Sequence, residues 1–106
     1  MLFMIRFADD REKLNLRHEY HRAHQDFVQR HKAQILSAGS LHADADSSPC
    51  GALWIVDVAS RSDAEALYKS DPYWVVGLRR SADVMVWRRC WTTGRLGWAN
   101  IVAQTG

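Results

Sequence analysis

The spacing of hydrophobic and polar positions changes several times along this chain, and each change marks an element. Residues Leu2 to Ala8 are almost wholly apolar and stop at Asp9-Asp10, which predicts a short buried strand. From about Leu14 to Lys32 the period becomes helical. Leu16, Tyr20, Ala23, Phe27 and Val28 make one stripe, and His24 and His31 fall on it. Arg17, Glu19, Arg22, Gln25 and Gln29 lie mostly elsewhere, so the spacing predicts one long helix with histidine on its inner face. QILSAGSL, Gln34 to Leu41, predicts a second strand in which Gly39 marks a bulge or a close backbone approach. HADADSSPCG, His42 to Gly51, has the composition of a loop. ALWIVDVA, Ala52 to Ala59, is dense in branched apolar residues and predicts a third strand. Ser60 and Asp63 approximate a capping box, and SDAEALYKS continues as a short helix with Ala64, Leu67 and Tyr68 inward. The Asp71-Pro72 step closes that helix, because proline lacks a backbone donor and drives the preceding residue out of helical geometry. ADVMVWRRCW, Ala82 to Trp91, alternates as a fourth strand, with Val84, Val86, Arg88 and Cys90 on one face and Met85, Trp87, Arg89 and Trp91 on the other.

Strand, helix, strand, strand, helix, strand is the order of an α+β, ferredoxin-like βαββαβ domain: a four-stranded antiparallel sheet with two helices on one face. The other sheet face is then bare and apolar, and in a homo-oligomer a second copy is its commonest cover. The expected assembly is a homodimer whose two sheets close into a dimeric α+β barrel. Residues 1–93 are expected to form the domain and residues 94–106 a C-terminal extension packing on it or on the partner subunit.

Composition narrows the classes. With 106 residues the chain makes one compact domain, and 47% hydrophobic with 25% charged residues is an ordinary globular balance. A formal charge of +2 without a basic block argues against a nucleic-acid partner. The longest apolar runs, such as Ala52 to Val56, are too short to span a bilayer, and MLFMIRFADD lacks the charged n-region and small-residue cleavage site expected of an export signal. Cys50 and Cys90 show no paired spacing, so two reduced thiols in a cytoplasmic protein are expected.

Candidate chemistry centres on two places. His18, His21 and His24 recur at three-residue intervals on the first helix. Any adjacent pair is close enough to share an ion, but nothing completes a tetrahedral set and no metal is expected. A histidine on an apolar stripe is more often a core residue with a satisfied hydrogen bond than a catalytic one. Asp71 is the second place, a carboxylate fixed by the proline behind it. A carboxylate on one ring nitrogen of a histidine fixes the tautomer and leaves the other nitrogen as a base. Trp54, on a central strand, reads as core; Tyr73 and Trp74, after the helix stop, are placed to wall a pocket. Arg17, Arg79, Arg80 and Arg88 suit an anionic oxygen, although arginines are usually solvated. There is no Gly-rich cofactor loop.

Four of these features together resemble the YciI-like, or YCII-related, family. They are the opening strand MLFMIRFADD, the helix segment His24-Gln25-Asp26-Phe27-Val28, the strand QILSAGSL with Ser40 where the family pattern has proline, and DPYWVVGL, Asp71 to Leu78. The resemblance covers roughly residues 1 to 90. It implies a small dimeric α+β barrel protein with a proposed acid/base dyad of a helix histidine and the aspartate of the Asp-Pro step. Asp71 takes the second role. His24 has the best local match for the first, with His21 as the alternative. It further implies a lyase or isomerase that needs no cofactor and acts on a small aromatic or lactone substrate, dehydrochlorination of a chlorinated hydroxyquinol being the most specific expectation. Tyr73, Trp74 and Arg17 would then bind substrate. A non-catalytic small-molecule-binding domain, or a haem or quinol monooxygenase on the same architecture, are the alternatives.

Overall fold

The computed structural model describes residues 1–91. The expected extension 94–106 lies outside the described residues. Strands β1 (Leu2–Asp9), β2 (Ile35–His42), β3 (Pro49–Asp57) and β4 (Arg79–Val86) form one antiparallel sheet in the order β2-β3-β1-β4. Helices α1 (Asn15–Glu19) and α2 (His21–Arg30) join β1 to β2; α3 (Arg61–Lys69) and α4 (Pro72–Val75) join β3 to β4. This is the α+β ferredoxin-like arrangement.

Strand parity sets the two sheet faces. Phe3, Ile5 and Phe7 of β1 and Ala52, Trp54 and Val56 of β3 are buried, together with Phe27 of α2 and Ala64, Leu67 and Tyr68 of α3. On the other face Met4 lies between Ile55 and Met85, and Arg6 between Leu53 and Asp83. Met85 is 56% exposed, so the apolar row Ile55, Met4 and Met85 is uncovered at that end, while Leu53 shares its row with the charged Arg6 and Asp83.

Four details correct the expected elements. The long first helix is broken at Tyr20. A continuous helix would give the Arg17 carbonyl to the His21 N–H; here the Tyr73 hydroxyl donates to that carbonyl at 2.7 Å, a side chain entering the helix ladder. Ala23, expected inward, is exposed. The loop between β2 and β3 is shorter than expected, since β2 runs to His42 and β3 starts at Pro49. The fourth strand is Arg79–Val86, not Ala82 to Trp91. Its length follows β1: Phe3 pairs with Val86 and Asp9 with Arg79, and the Trp87 N–H donates to the Leu2 carbonyl at 3.0 Å, where β1 begins.

The Asp-Pro step does more than stop α3. Ser70 ends that helix, and Asp71, in an extended conformation, caps the N-terminus of α4 with Pro72 in its first turn. Gly77, at φ +83°, supplies the left-handed turn that leads from α4 into β4.

Candidate active site

The proline that bars Asp71 from helical geometry also aims its carboxylate. Oδ1 accepts the Tyr73 N–H at 3.2 Å, and His24 Nδ1 lies 2.9 Å from Oδ1 and 3.0 Å from Oδ2. A carboxylate accepts, so Nδ1 carries the proton. Nε2 makes no hydrogen bond to the described residues and is left to exchange a proton. The Asp71 side chain is 2% exposed and that of His24 16%, so the imidazole is reachable and its orienting carboxylate is not. The Tyr73 ring stacks on the imidazole at 4.2 Å between centroids and 14° between planes, which fixes the ring plane.

A second buried group adjoins this pair. Asp9 continues the inward parity of Phe3, Ile5 and Phe7, and its side chain is wholly buried. Arg17 donates from Nη2 at 2.9 Å and Nε at 3.3 Å to Asp9 Oδ2, and from Nη2 to the Gly51 carbonyl at 3.1 Å. Arg79 donates from Nη1 to Asp9 Oδ1 at 2.8 Å. Both guanidiniums also lie near the Tyr73 ring, Arg79 at 5.0 Å and Arg17 at 5.5 Å from its centroid. A β-bulge decides which arginine enters. In the regular β1–β4 register Asp9 would face Arg80, but the shift at Ala8/Asp9 brings Arg79 opposite it instead. Two guanidiniums against Asp9 leave one positive charge around it, and the nearby Asp71 carboxylate also acts on Arg79. Burial pushes the Arg79 guanidinium below its ordinary range, opposed by its bond to Asp9. Burial also raises the Tyr73 phenol, opposed by Arg17 and Arg79, so Tyr73 stays protonated and donates.

These groups open on a cavity of about 560 Å³. Arg17, His21, His24, Trp54, Tyr73 and Arg79 line it, with Gln25, Val28 and Gln29 of α2 and Ala38, Gly39 and Ser40 of β2. Its volume suits one small ring compound. His21 lies at the cavity with Nδ1 3.5 Å from the Tyr73 hydroxyl, and His18 is exposed and outside the lining. Trp74 packs edge-on against Tyr68 at 4.9 Å and does not line the cavity. His31 donates from Nδ1 to the Phe27 carbonyl, away from the site. Among the described residues, no group of three or more His, Cys, Asp or Glu side chains is arranged to hold a metal ion.

A model of the YCII-related domain matches residues 1–88. The chain belongs to the YCII-related family. No curated protein sequence matches this YCII-related chain. Among solved structures it is similar to a 5-chloro-2-hydroxyhydroquinone dehydrochlorinase from Burkholderia phenoliruptrix AC1100 in complex with 2,5-dihydroxybenzoquinone. The TM-score is 0.77 at 24% identity, over 84% of this chain and 95% of that one. It is also similar to a protein of Bacteroides thetaiotaomicron VPI-5482 named for antibiotic biosynthesis monooxygenases, with a TM-score of 0.53 at 12% identity over 86% of this chain and 90% of that one. At these identities the likeness is one of fold.

Several residues of the YCII-related site escape sequence reasoning. Asp9 reads as a strand boundary, although its parity with Phe3, Ile5 and Phe7 is the signal that places it inside. Trp54 is core as expected, yet it also lines the cavity. The burial of Arg79 depends on a bulge that no local residue announces.

Proposed function

We propose that this protein is a cofactor-independent lyase or isomerase acting on a hydroxylated ring, with His24 as the general base and acid and Asp71 as its orienting partner. The observation that carries this reading is the two-point contact of His24 Nδ1 with the buried Asp71 carboxylate, beside a cavity and with Nε2 making no hydrogen bond to the described residues. The positive charge around Asp9 suits an oxygen that becomes anionic as its proton leaves. The similar dehydrochlorinase offers the specific substrate class, a chlorinated hydroxyquinol. Its conversion to a hydroxyquinone balances without a redox partner. Two ring hydroxyls in para positions lose protons, one proton goes onto the carbon bearing chlorine, and the C–Cl electron pair leaves with chloride. The net loss is HCl. His24 is placed to take a proton from one hydroxyl and return it to the adjacent carbon, while Tyr73 holds the imidazole plane.

The test is chloride release from a chlorinated hydroxyquinol by native protein, His24→Gln and Asp71→Asn. The His24 variant is expected to lose about 100- to 10,000-fold in kcat, the usual worth of a positioned proton-transfer group. Asp71→Asn is expected to lose kcat more than KM, because the amide keeps the cap on Tyr73 N–H but not the charge. Native protein that binds such quinols without releasing chloride, or variants that keep the full rate, would reject the reading and favour a binding domain. The apolar row of Ile55, Met4 and Met85 supports a homodimer through this sheet face, which sedimentation of native protein and Met85→Lys would test.

A further inference from the structure

Ser40 and His42 of β2 form a second histidine-centred pair. His42 Nδ1 lies 2.8 Å from the Ser47 carbonyl oxygen, and Nε2 lies 2.7 Å from Ser40 Oγ. A carbonyl only accepts, so Nδ1 carries the hydrogen; in the neutral ring Nε2 is then an acceptor, and the Ser40 hydroxyl must donate to it. A hydroxyl on a histidine, itself oriented by a third group, is the arrangement that activates an oxygen for proton transfer or attack.

Its place in the fold says which. Ser40 pairs with Ala52, a core residue of β3, so its side chain faces the same side of the sheet, and both line the cavity that holds His24. His42 is exposed. With its hydrogen given to His42, Ser40 Oγ has lone pairs left for a donor in the cavity. Both residues are exposed; Ser40 stands at the cavity wall and His42 outside its lining.

We propose that Ser40 and His42 are a second proton-transfer pair of this site, with Ser40 taking the proton of the ring hydroxyl para to the one His24 handles and His42 passing its charge to solvent. The inference rests on the dehydrochlorination reading, which needs proton acceptors at two para oxygens. As the substrate O–H bond breaks, its proton goes to Ser40 Oγ and the serine's own proton moves to His42 Nε2. The O–H electron pair becomes the second ring carbonyl, the ring π pairs shift, and chloride departs with the C–Cl pair. Ser40 is the catalytic residue of the pair and His42 its positioning and accepting partner. Arg17 and Arg79 line the same cavity and favour the oxygen as it becomes anionic, and Asp44 lies beside His42 on the surface.

Chloride release by Ser40→Ala, Ser40→Thr, His42→Gln and the Ser40→Ala/His42→Gln double variant tests this. Ser40→Ala and His42→Gln are each expected to lower kcat on the order of 100-fold with little change in KM. The double variant should be no slower than Ser40→Ala alone, and Ser40→Thr, which keeps a hydroxyl, should recover most of the rate. Full kcat in Ser40→Ala while His24→Gln is inactive overturns the relay and leaves the His24–Asp71 reading standing. If native protein releases no chloride, that reading fails, and the ring-nitrogen NMR of His42 still decides the pair. The expected result is an Nδ1–H tautomer whose Nε2 resonance moves on Ser40→Ala and on adding hydroquinone. An Nε2–H tautomer, or an Nε2 resonance indifferent to hydroquinone, overturns it.

Discussion

Replacing Asp9 by Asn removes one negative charge from a place where two positive ones depend on it. The Asp9 side chain is 0% exposed and contacts Arg79 at 2.8 Å and Arg17 at 2.9 Å. The two arginines differ in what they can do when it goes. Arg17 is 19% exposed and can turn toward water, whereas Arg79 is 1% exposed and cannot. Removing one partner of a buried ion pair costs about 3–5 kcal/mol, because the other charge stays buried without compensation. For a domain whose whole stability is about 5–15 kcal/mol, that is a large fraction. Urea unfolding of Asp9→Asn should therefore show a loss of about 3–5 kcal/mol. The decisive comparison is a double-mutant cycle with Arg79→Met, which removes the stranded cation. Asp9→Asn/Arg79→Met should be destabilised by clearly less than the sum of the two single changes. Arg17→Met should cost less than Arg79→Met, since its site reaches solvent. The reasoning is refuted if Asp9→Asn loses under about 1 kcal/mol, the scale of a surface pair, or if the cycle is additive.

Two further changes probe the frame of the site. In Gly51→Ala the new Cβ would overlap the Phe7 carbonyl oxygen across the β1–β3 pairing, and Arg17 bonds to the Gly51 carbonyl. A loss of about 1–3 kcal/mol or more in urea unfolding is expected, as for other overpacked sites, and native stability would show that the strands separate freely there. Tyr73→Phe removes the hydroxyl that donates to the Arg17 carbonyl and should cost about 1–3 kcal/mol at neutral pH, the penalty for leaving a buried acceptor unpaired. Burial raises the Tyr73 pKa above its ordinary 10.0, so the unfolded chain gives up the phenol proton first and the folded state loses stability as pH rises past that value. Tyr68 shifts the same way in both proteins. The gap between native and Tyr73→Phe in urea titrations should narrow in alkali, and a gap that widens there would contradict the burial of this hydroxyl.

What the sequence reveals and what it hides divide along the range of the interactions involved. Asp71 is legible because its constraint is local: Pro72 fixes its backbone, and the N–H two residues on fixes its carboxylate. The inward stripe of α2 likewise gives Phe27, Val28 and His24 from spacing alone. Asp9, by contrast, is a charged residue at a strand end, which reads as a boundary until a partner is known to meet it. That partner is Arg79 rather than Arg80 because of one bulge, and a bulge shifts parity without a local residue to report it. The split of the first helix is less visible still. No proline or glycine stands near Tyr20, and the agent is a tyrosine hydroxyl 56 residues from the carbonyl it takes. The end of β4 has the same character, since it is set by where β1 begins and not by the alternation that runs on to Trp91.

Tyr73 ties these long-range features into one site. Its N–H engages Asp71, its ring lies flat on His24, its hydroxyl breaks the helix that carries His24, and its ring lies near both arginines that hold Asp9. The position of His24 is therefore determined twice, once by a bond to the carboxylate and once by a stack on the residue that the same carboxylate caps. A group held from two directions loses little freedom when a substrate arrives, which is the condition for a proton-transfer group to act without reorganising. It also explains why an Asp-Pro-Tyr run suits this place better than a bare helix stop. The proline orients the aspartate, the aspartate orders the first turn of α4, and that turn delivers the tyrosine on which the imidazole rests.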